Sequence, residues 1–295
     1  MNPPLESFAP AKINLALHVT GRRADGYHLL ETLVVFACNG DRLTAQRGDR
    51  DSFEITGPFA QDVPSGEDNL VLRVRDLMRE HFSEAADTPV RLSLEKNLPV
   101  ASGIGGGSSD AAATLALLGQ FWSIRNKADA IARIAFRLGA DVPMCMTARP
   151  LVAHGIGDEI NMVADFPEFP LLLVNPGVPL ATPAVFKALM SRHNPPLPSL
   201  NGKSRGEVLD WLASTRNDLE APALALRPEI GRALGALKAQ QALFARMSGS
   251  GATCFGIFES IEAAERAARA IAEEHPGWFV KATTTMPAAQ ETVIG

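Results

Sequence analysis

The segment PVASGIGGGSSDAAATL, Pro99 to Leu115, packs four glycines into five positions and then runs into alanine and leucine. Gly103, Gly105, Gly106 and Gly107 open backbone angles closed to other residues and remove the Cβ atoms that would hold a ligand off the main chain. Asp110 heads the alanine-rich run, which reads as a buried helix from Ala111 fed by this loop. Main-chain N–H groups at a helix start, backed by the positive end of the helix dipole, suit a phosphate, and Ser108 and Ser109 add hydroxyls. No lysine follows the glycines as in a Walker A loop, and Ser108 stands where G-x-G-x-x-G needs its third glycine. Glycine at this density is costly for a mere surface connection, so a ligand-binding loop is expected.

The rest of the chain has globular proportions. Of 295 residues, 46% are hydrophobic and 21% charged, enough to bury a core, and the length predicts two packed domains or one large α/β unit. Lys plus Arg is 28 against 33 Asp plus Glu, a net charge of -5, without the basic footprint of a nucleic-acid binder. Cys38, Cys145 and Cys254 form no C-x-x-C pair and have no histidines at ligand spacing, which argues against a disulfide framework or a zinc site. MNPPLESFAPAK lacks the apolar core of a secretory signal, and Ala111–Ile124 is too short to span a bilayer. A cytoplasmic protein with no nucleic-acid or membrane partner is expected.

Ile13, Leu15, Leu17 and Val19 alternate with polar or small residues, the pattern of a half-buried strand with Lys12 and Asn14 on one face. Further strands are expected at Leu33–Phe36, Asp41–Ala45 and Val90–Leu94, with helices at 69–82 and 128–138, the latter stopped by Gly139. Asp141 then falls at an element end. From about residue 163 the texture changes: a strand at 171–174, a helix near 183–191, a proline-rich loop at 194–200, then helix 228–240, strands 243–247 and 253–258, helix 261–274 and strand 278–284. Two helices against an antiparallel sheet give an α+β reading.

Smaller motifs leave alternatives open on their own. MSGSGATC, residues 247–254, is either a hairpin turn or a second ligand-facing loop. Lys12 and Asn14 fit ordinary solvent-facing positions equally well. Tyr27, the chain's only tyrosine, and His28 suit either packing or binding, and Asp141 either caps a local structure or takes part in a site. No G-x-S-x-G elbow occurs, which sets aside a serine hydrolase.

Taken in order, APAKINL (9–15), GRRADGYH (21–28), the glycine loop (99–109), LGADVP (138–143) and GSGA (249–252) resemble the motif set of the GHMP kinases, over residues 9 to about 285. The resemblance implies a two-domain α+β fold. Residues 1–163 would form the N-terminal ATP-binding domain, like ribosomal protein S5 domain 2, and residues 164–295 a ferredoxin-like C-terminal domain, with the active site in the cleft between them. It implies ATP and Mg2+ as cofactors and a small-molecule alcohol as substrate. PAKINL with RADGYH is most similar to members that phosphorylate the 2-hydroxyl of a cytidyl diphosphate methylerythritol on the non-mevalonate route to isoprenoids. Another member, such as a mevalonate or homoserine kinase, is the alternative. A non-catalytic relative would be expected to lack Lys12 and Asp141.

Carried over residue by residue, Lys12 and Asp141 are implied as the catalytic pair. Pro99, Ala101, Ser102, Gly103, Ile104, Gly105, Gly106, Gly107, Ser108 and Ser109 are implied to hold ATP, with Asn69 and Lys96 near the adenine. Asn14, Tyr27, His28, Asp141, Thr182 and Phe186 are implied on the substrate side, Tyr27 and Phe186 sandwiching the cytosine and His28 bonding its edge. Ile104 stands where the family often has Leu, and Ala101-Ser102 replaces a commoner Gly-rich pair.

Overall fold

The computed structural model describes residues 3–288. In chain order the elements begin with strands β1 (Leu5–Arg22), β2 (His28–Arg47) and β3 (Ser52–Thr56), helix α1 (Leu70–His81) and strand β4 (Val90–Glu95). Helices α2 (Gly106–Phe121), α3 (Ala128–Leu138) and α4 (Asp141–Thr147) come next, then strands β5 (Leu151–His154), β6 (Glu159–Met162) and β7 (Pro170–Asn175). Helices α5 (Thr182–Lys187), α6 (Arg205–Ala213), α7 (Glu220–Leu226) and α8 (Glu229–Ala239) lead into β8 (Phe244–Met247), β9 (Cys254–Ile257), α9 (Ile261–Glu274) and β10 (Phe279–Thr284). The mixture is the expected α+β class. Among the described residues no helix is long and apolar enough to cross a membrane.

Contacts do not divide the chain at residue 163. Among the described residues, one compact unit takes those up to Ala11 with Gly40–Val100 and Gly105–Thr147; the other takes Lys12–Asn39, Ala101–Ile104 and those from Ala148 on. The interleaving follows from β1 and β2, 18 and 20 residues long, each of which passes from one unit into the other.

In the first unit, β4 pairs antiparallel with the second half of β2 (Arg42–Arg47) and parallel with β3. Helices α1 to α4 pack on one another, burying Val71, Val74, Met78, Leu115, Leu118 and Ile134. Helix α1 starts where its sequence says: the Asn69 side chain accepts from Val71 N, capping an otherwise orphaned donor. The second unit contains an antiparallel sheet in the order β10-β7-β9-β8, with α8 and α9 packed against it. Helix α9 buries Ala264, Ala267 and Ile271 at helical spacing, after a Ser260 cap that accepts from Ala263 N. The first half of β2 pairs with β5, and β5 with β6.

Three expectations need correction. The strand through Ile13 is not half-buried: every residue from Ala9 to Val19 is buried, on both faces. Leu33–Phe36 and Asp41–Ala45 belong to one strand, because Gly40 is no break. A Cβ there would overlap the Ala9 main chain, so glycine is what lets β1 lie close. Helix α2 starts at Gly106, five residues ahead of Ala111, so two of the loop glycines are its first turn.

Candidate active site

In the second unit, three distant pieces of sequence meet around Gly103. Lys12 N donates to Ile104 O at 2.9 Å, and Thr253 N donates to Ser102 O at 3.0 Å. Asn14 N donates to Ser248 Oγ at 3.0 Å, and that hydroxyl donates to Gly103 O at 3.0 Å. Gly103 has φ +78°, and a Cβ on it would stand 2.5 Å from Ser248 O and 2.7 Å from Gly251 N. The 247–254 turn therefore closes on the glycine loop itself, and its glycines allow main chain to meet main chain. Asn217 fixes the turn from outside, its Nδ2 donating to Met247 O and Gly249 O, each at 2.8 Å. Ala101 sits at φ +50°, a left-handed backbone that costs an alanine about 1–2 kcal/mol.

Lys12 and Asn14 are 5% and 3% exposed, which removes the solvent-facing alternative, since a lysine is rarely buried without a task. Lys12 Nζ donates to Asn14 Oδ1 at 3.3 Å, while Asn14 Nδ2 donates to Thr32 Oγ1 at 2.8 Å, which orients the amide.

The same unit holds a cavity of about 630 Å³ lined by Tyr27, His28, Thr182 and Phe186, and also by Arg22 and Arg192. Thr182 Oγ1 and Ser250 Oγ lie 2.7 Å apart, joining this cavity to the turn against Gly103. Phe186 stacks on His28, with ring centres 4.7 Å apart and planes 25° from parallel, whereas Tyr27 is 61% exposed. His28 and Phe186 thus stack on one another, while Tyr27 forms an exposed part of the cavity wall. His28 Nε2 is buried without a hydrogen-bond partner, and so is Arg192 Nε. Burial, then the charges of Arg22 and Arg192, hold the His28 ring below its usual pKa of 6.5.

The first unit supplies the start of α2. Gly105, at φ +62°, is its N-cap, and the first backbone bond runs from Ser109 N to Gly105 O at 2.8 Å. By helix geometry the N–H groups of Gly106, Gly107 and Ser108 have no intrahelical acceptor. Ser109 is turned away, its hydroxyl donating to Pro10 O at 2.6 Å, which leaves Ser108 as the half-exposed hydroxyl of this turn. Asp141 opens α4, a helix the sequence reading missed, and α4 packs on α2.

The two residues expected near an adenine each have partners within the fold. Asn69 caps α1, and its Nδ2 donates to Pro64 O at 2.7 Å. Lys96 is buried, its Nζ 2.6 Å from both Asp41 and Asp110. Sequence reasoning also missed Asn217, Arg22 and Arg192. Arg22 lay inside a quoted motif, but no periodicity marks residues 188–193.

Known proteins resemble this chain along its length. A model of the GHMP kinases N terminal domain matches residues 69–149, and one of the GHMP kinases C terminal matches 197–277. A 4-diphosphocytidyl-2-C-methyl-D-erythritol kinase from Chelativorans sp. (strain BNC1) is 56% identical over 97% of this chain and 98% of its own. A crystal structure of 4-(cytidine 5'-diphospho)-2C-methyl-D-erythritol kinase superposes with a TM-score of 0.79 at 34% identity, covering 96% of this chain and all of that one. A homoserine kinase from Cytophaga hutchinsonii shares only the fold, at 17% identity and a TM-score of 0.66, over 98% of this chain and 96% of that one. The alternative of a mevalonate- or homoserine-type enzyme is therefore not favoured, and the chain belongs to the GHMP kinase family, with the 4-diphosphocytidyl-2-C-methyl-D-erythritol kinases among its members.

Proposed function

We propose that the protein transfers the terminal phosphoryl group of ATP to the 2-hydroxyl of 4-diphosphocytidyl-2-C-methyl-D-erythritol, a step of the non-mevalonate route to isoprenoid precursors. The observation that carries this reading is the cavity in which Tyr27, His28, Thr182 and Phe186 converge, with the buried His28 Nε2 lacking a partner. Aromatic faces and one unsatisfied ring nitrogen suit a flat heterocycle with hydrogen-bonding edges, such as cytosine. A base entering this cavity would stack with Phe186 and the exposed Tyr27, and bond His28. Three free cysteines among the described residues agree with the cytoplasm as its compartment.

Phosphoryl transfer demands alignment and charge neutralisation more than covalent chemistry. The N–H groups of Gly106, Gly107 and Ser108 are the donors for the triphosphate, and the α2 dipole adds to their pull. Asp141 is the base that takes the 2-hydroxyl proton. Lys12, held by Asn14, offsets negative charge on the transferred group. Among the described residues no cluster of three His, Cys, Asp or Glu could cage a metal. Mg2+ binds mainly to phosphate oxygens and water and needs only one or two protein oxygens. Ser108 and Asp141 carry the oxygens that would hold it, and the ion would supply charge neutralisation at the phosphates.

Tyr27→Ala tests the cavity. Losing one stacking partner should raise KM for the cytidyl alcohol by about 1–3 kcal/mol in free-energy terms and leave KM for ATP alone. An unchanged KM for the alcohol with a raised KM for ATP would refute the assignment.

A further inference from the structure

The chain entering the glycine loop and the helix leaving it are tied to one buried ammonium. Lys96, just past β4, is 2% exposed, and its Nζ donates to Asp41 Oδ2 and to Asp110 Oδ2, each at 2.6 Å. Asp41 is fully buried in β2, and its other oxygen accepts from Asn97 N at 2.6 Å and Leu98 N at 2.9 Å, directly ahead of Pro99. Asp110 lies in α2 one turn past Gly106, and a Cβ on Gly106 would stand 3.1 Å from Lys96 Nζ. The segment before the loop and the first turns of α2 thus share a single anchor.

Chemistry argues that this anchor does not itself bind ligand. An ammonium flanked by two carboxyl groups has little capacity left for a base, and with Asp41 beside it the cluster keeps no net positive charge to attract phosphate. Asp110 Oδ1 is buried with no hydrogen-bond partner, a cost that a purely stabilising ion pair would have no reason to carry. Burial pushes the Asp110 carboxyl up, Lys96 pulls it back and Asp41 adds to the rise.

We propose that Asp41, Lys96 and Asp110 are positioning residues of the phosphate cradle, holding the N–H groups of Gly106, Gly107 and Ser108 in the orientation that meets a triphosphate. The proposal rests on the reading of the α2 start as that cradle, and it removes Lys96 from the adenine.

The test compares ATP with Mg2+ against adenosine, by calorimetry or competition, on the full chain and on Asp41→Asn, Asp110→Asn and Lys96→Met, each checked for folding by circular dichroism. The wild type should hold ATP well above adenosine. The folded variants should weaken ATP by roughly tenfold or more, the scale of one charge-assisted hydrogen bond, with adenosine unchanged. If Lys96→Met does not fold, the two near-isosteric asparagine variants decide. Variants that melt earlier yet keep the full preference for ATP would overturn the positioning role and leave the cradle standing. Equal loss of ATP and adenosine in Lys96→Met would return Lys96 to the base. A wild type with no preference for ATP over adenosine would remove the cradle, and this proposal with it.

Discussion

Gly103→Ala and Gly107→Ala alter one motif four residues apart, and their effects should have opposite signs. Gly103 lies at φ +78°, where an alanine costs about 1–2 kcal/mol. Its new Cβ would stand 2.5 Å from Ser248 O and 2.7 Å from both Gly251 N and Gly251 O. All three are main-chain atoms of a turn that Asn217 holds in place, so they yield poorly, and overpacking adds about 1–3 kcal/mol. The sum is a loss of about 2–5 kcal/mol. Gly107 sits in the first turn of α2, and a Cβ there meets only Leu70 Cδ1, at an ordinary 3.6 Å. Replacing glycine with alanine in a helix gains up to about 1 kcal/mol. Thermal denaturation followed by circular dichroism reads both, at about 2–4 °C per kcal/mol for a chain of this size. Gly103→Ala should melt well below the wild type and Gly107→Ala at or slightly above it. A Gly103→Ala protein that melts with the wild type would show that the loop does not meet the 248–251 turn as described.

Asp141→Asn keeps the side-chain shape and removes the basic oxygen, so kcat should fall by about two to four orders of magnitude while ATP affinity and melting temperature hold; a fully active variant would contradict its role as base. His28 is held below its usual pKa of 6.5, first by burial and then by Arg22 and Arg192, so its ring is neutral at pH 7. KM for the alcohol should stay flat from pH 8 to 6.5 and rise only below, as the ring takes a proton, with the rise absent in His28→Ala. A rise that begins above pH 7 would contradict this.

Local chemistry made several elements legible. The helices expected at 69–82 and 261–274 form as α1 and α9, where Asn69 and Ser260 each accept a bond that the first helical turn otherwise wastes, and Gly139 closes α3 where the sequence placed it. The glycine loop could be read as an anion site from backbone freedom alone. Its extent could not: Gly106 and Gly107 are poor helix formers, and packing draws them into α2 against their propensity. Burial of β1 on both faces was hidden because Lys12, Asn14 and His18 mimic a solvent face. His18 Nδ1 meets Pro195 O and its Nε2 accepts from Arg216 N, nearly 180 and 200 residues away. The Asp41–Lys96 pair spans 55 positions and the Ser248–Gly103 bond 145, separations at which no sequence pattern operates. The ion triad of Lys96 and the helix cap of Asn69 could not be read from the family resemblance, which implied only that both lie near an adenine.

The most direct measurement incubates the purified protein with ATP, Mg2+ and 4-diphosphocytidyl-2-C-methyl-D-erythritol and follows the product by mass and by phosphorus NMR. The account predicts one added phosphoryl group, dependent on ATP and carried on the 2-hydroxyl, with no comparable turnover of mevalonate or homoserine. ADP release without a phosphorylated cytidyl product, or preferred turnover of either of those other alcohols, would contradict it.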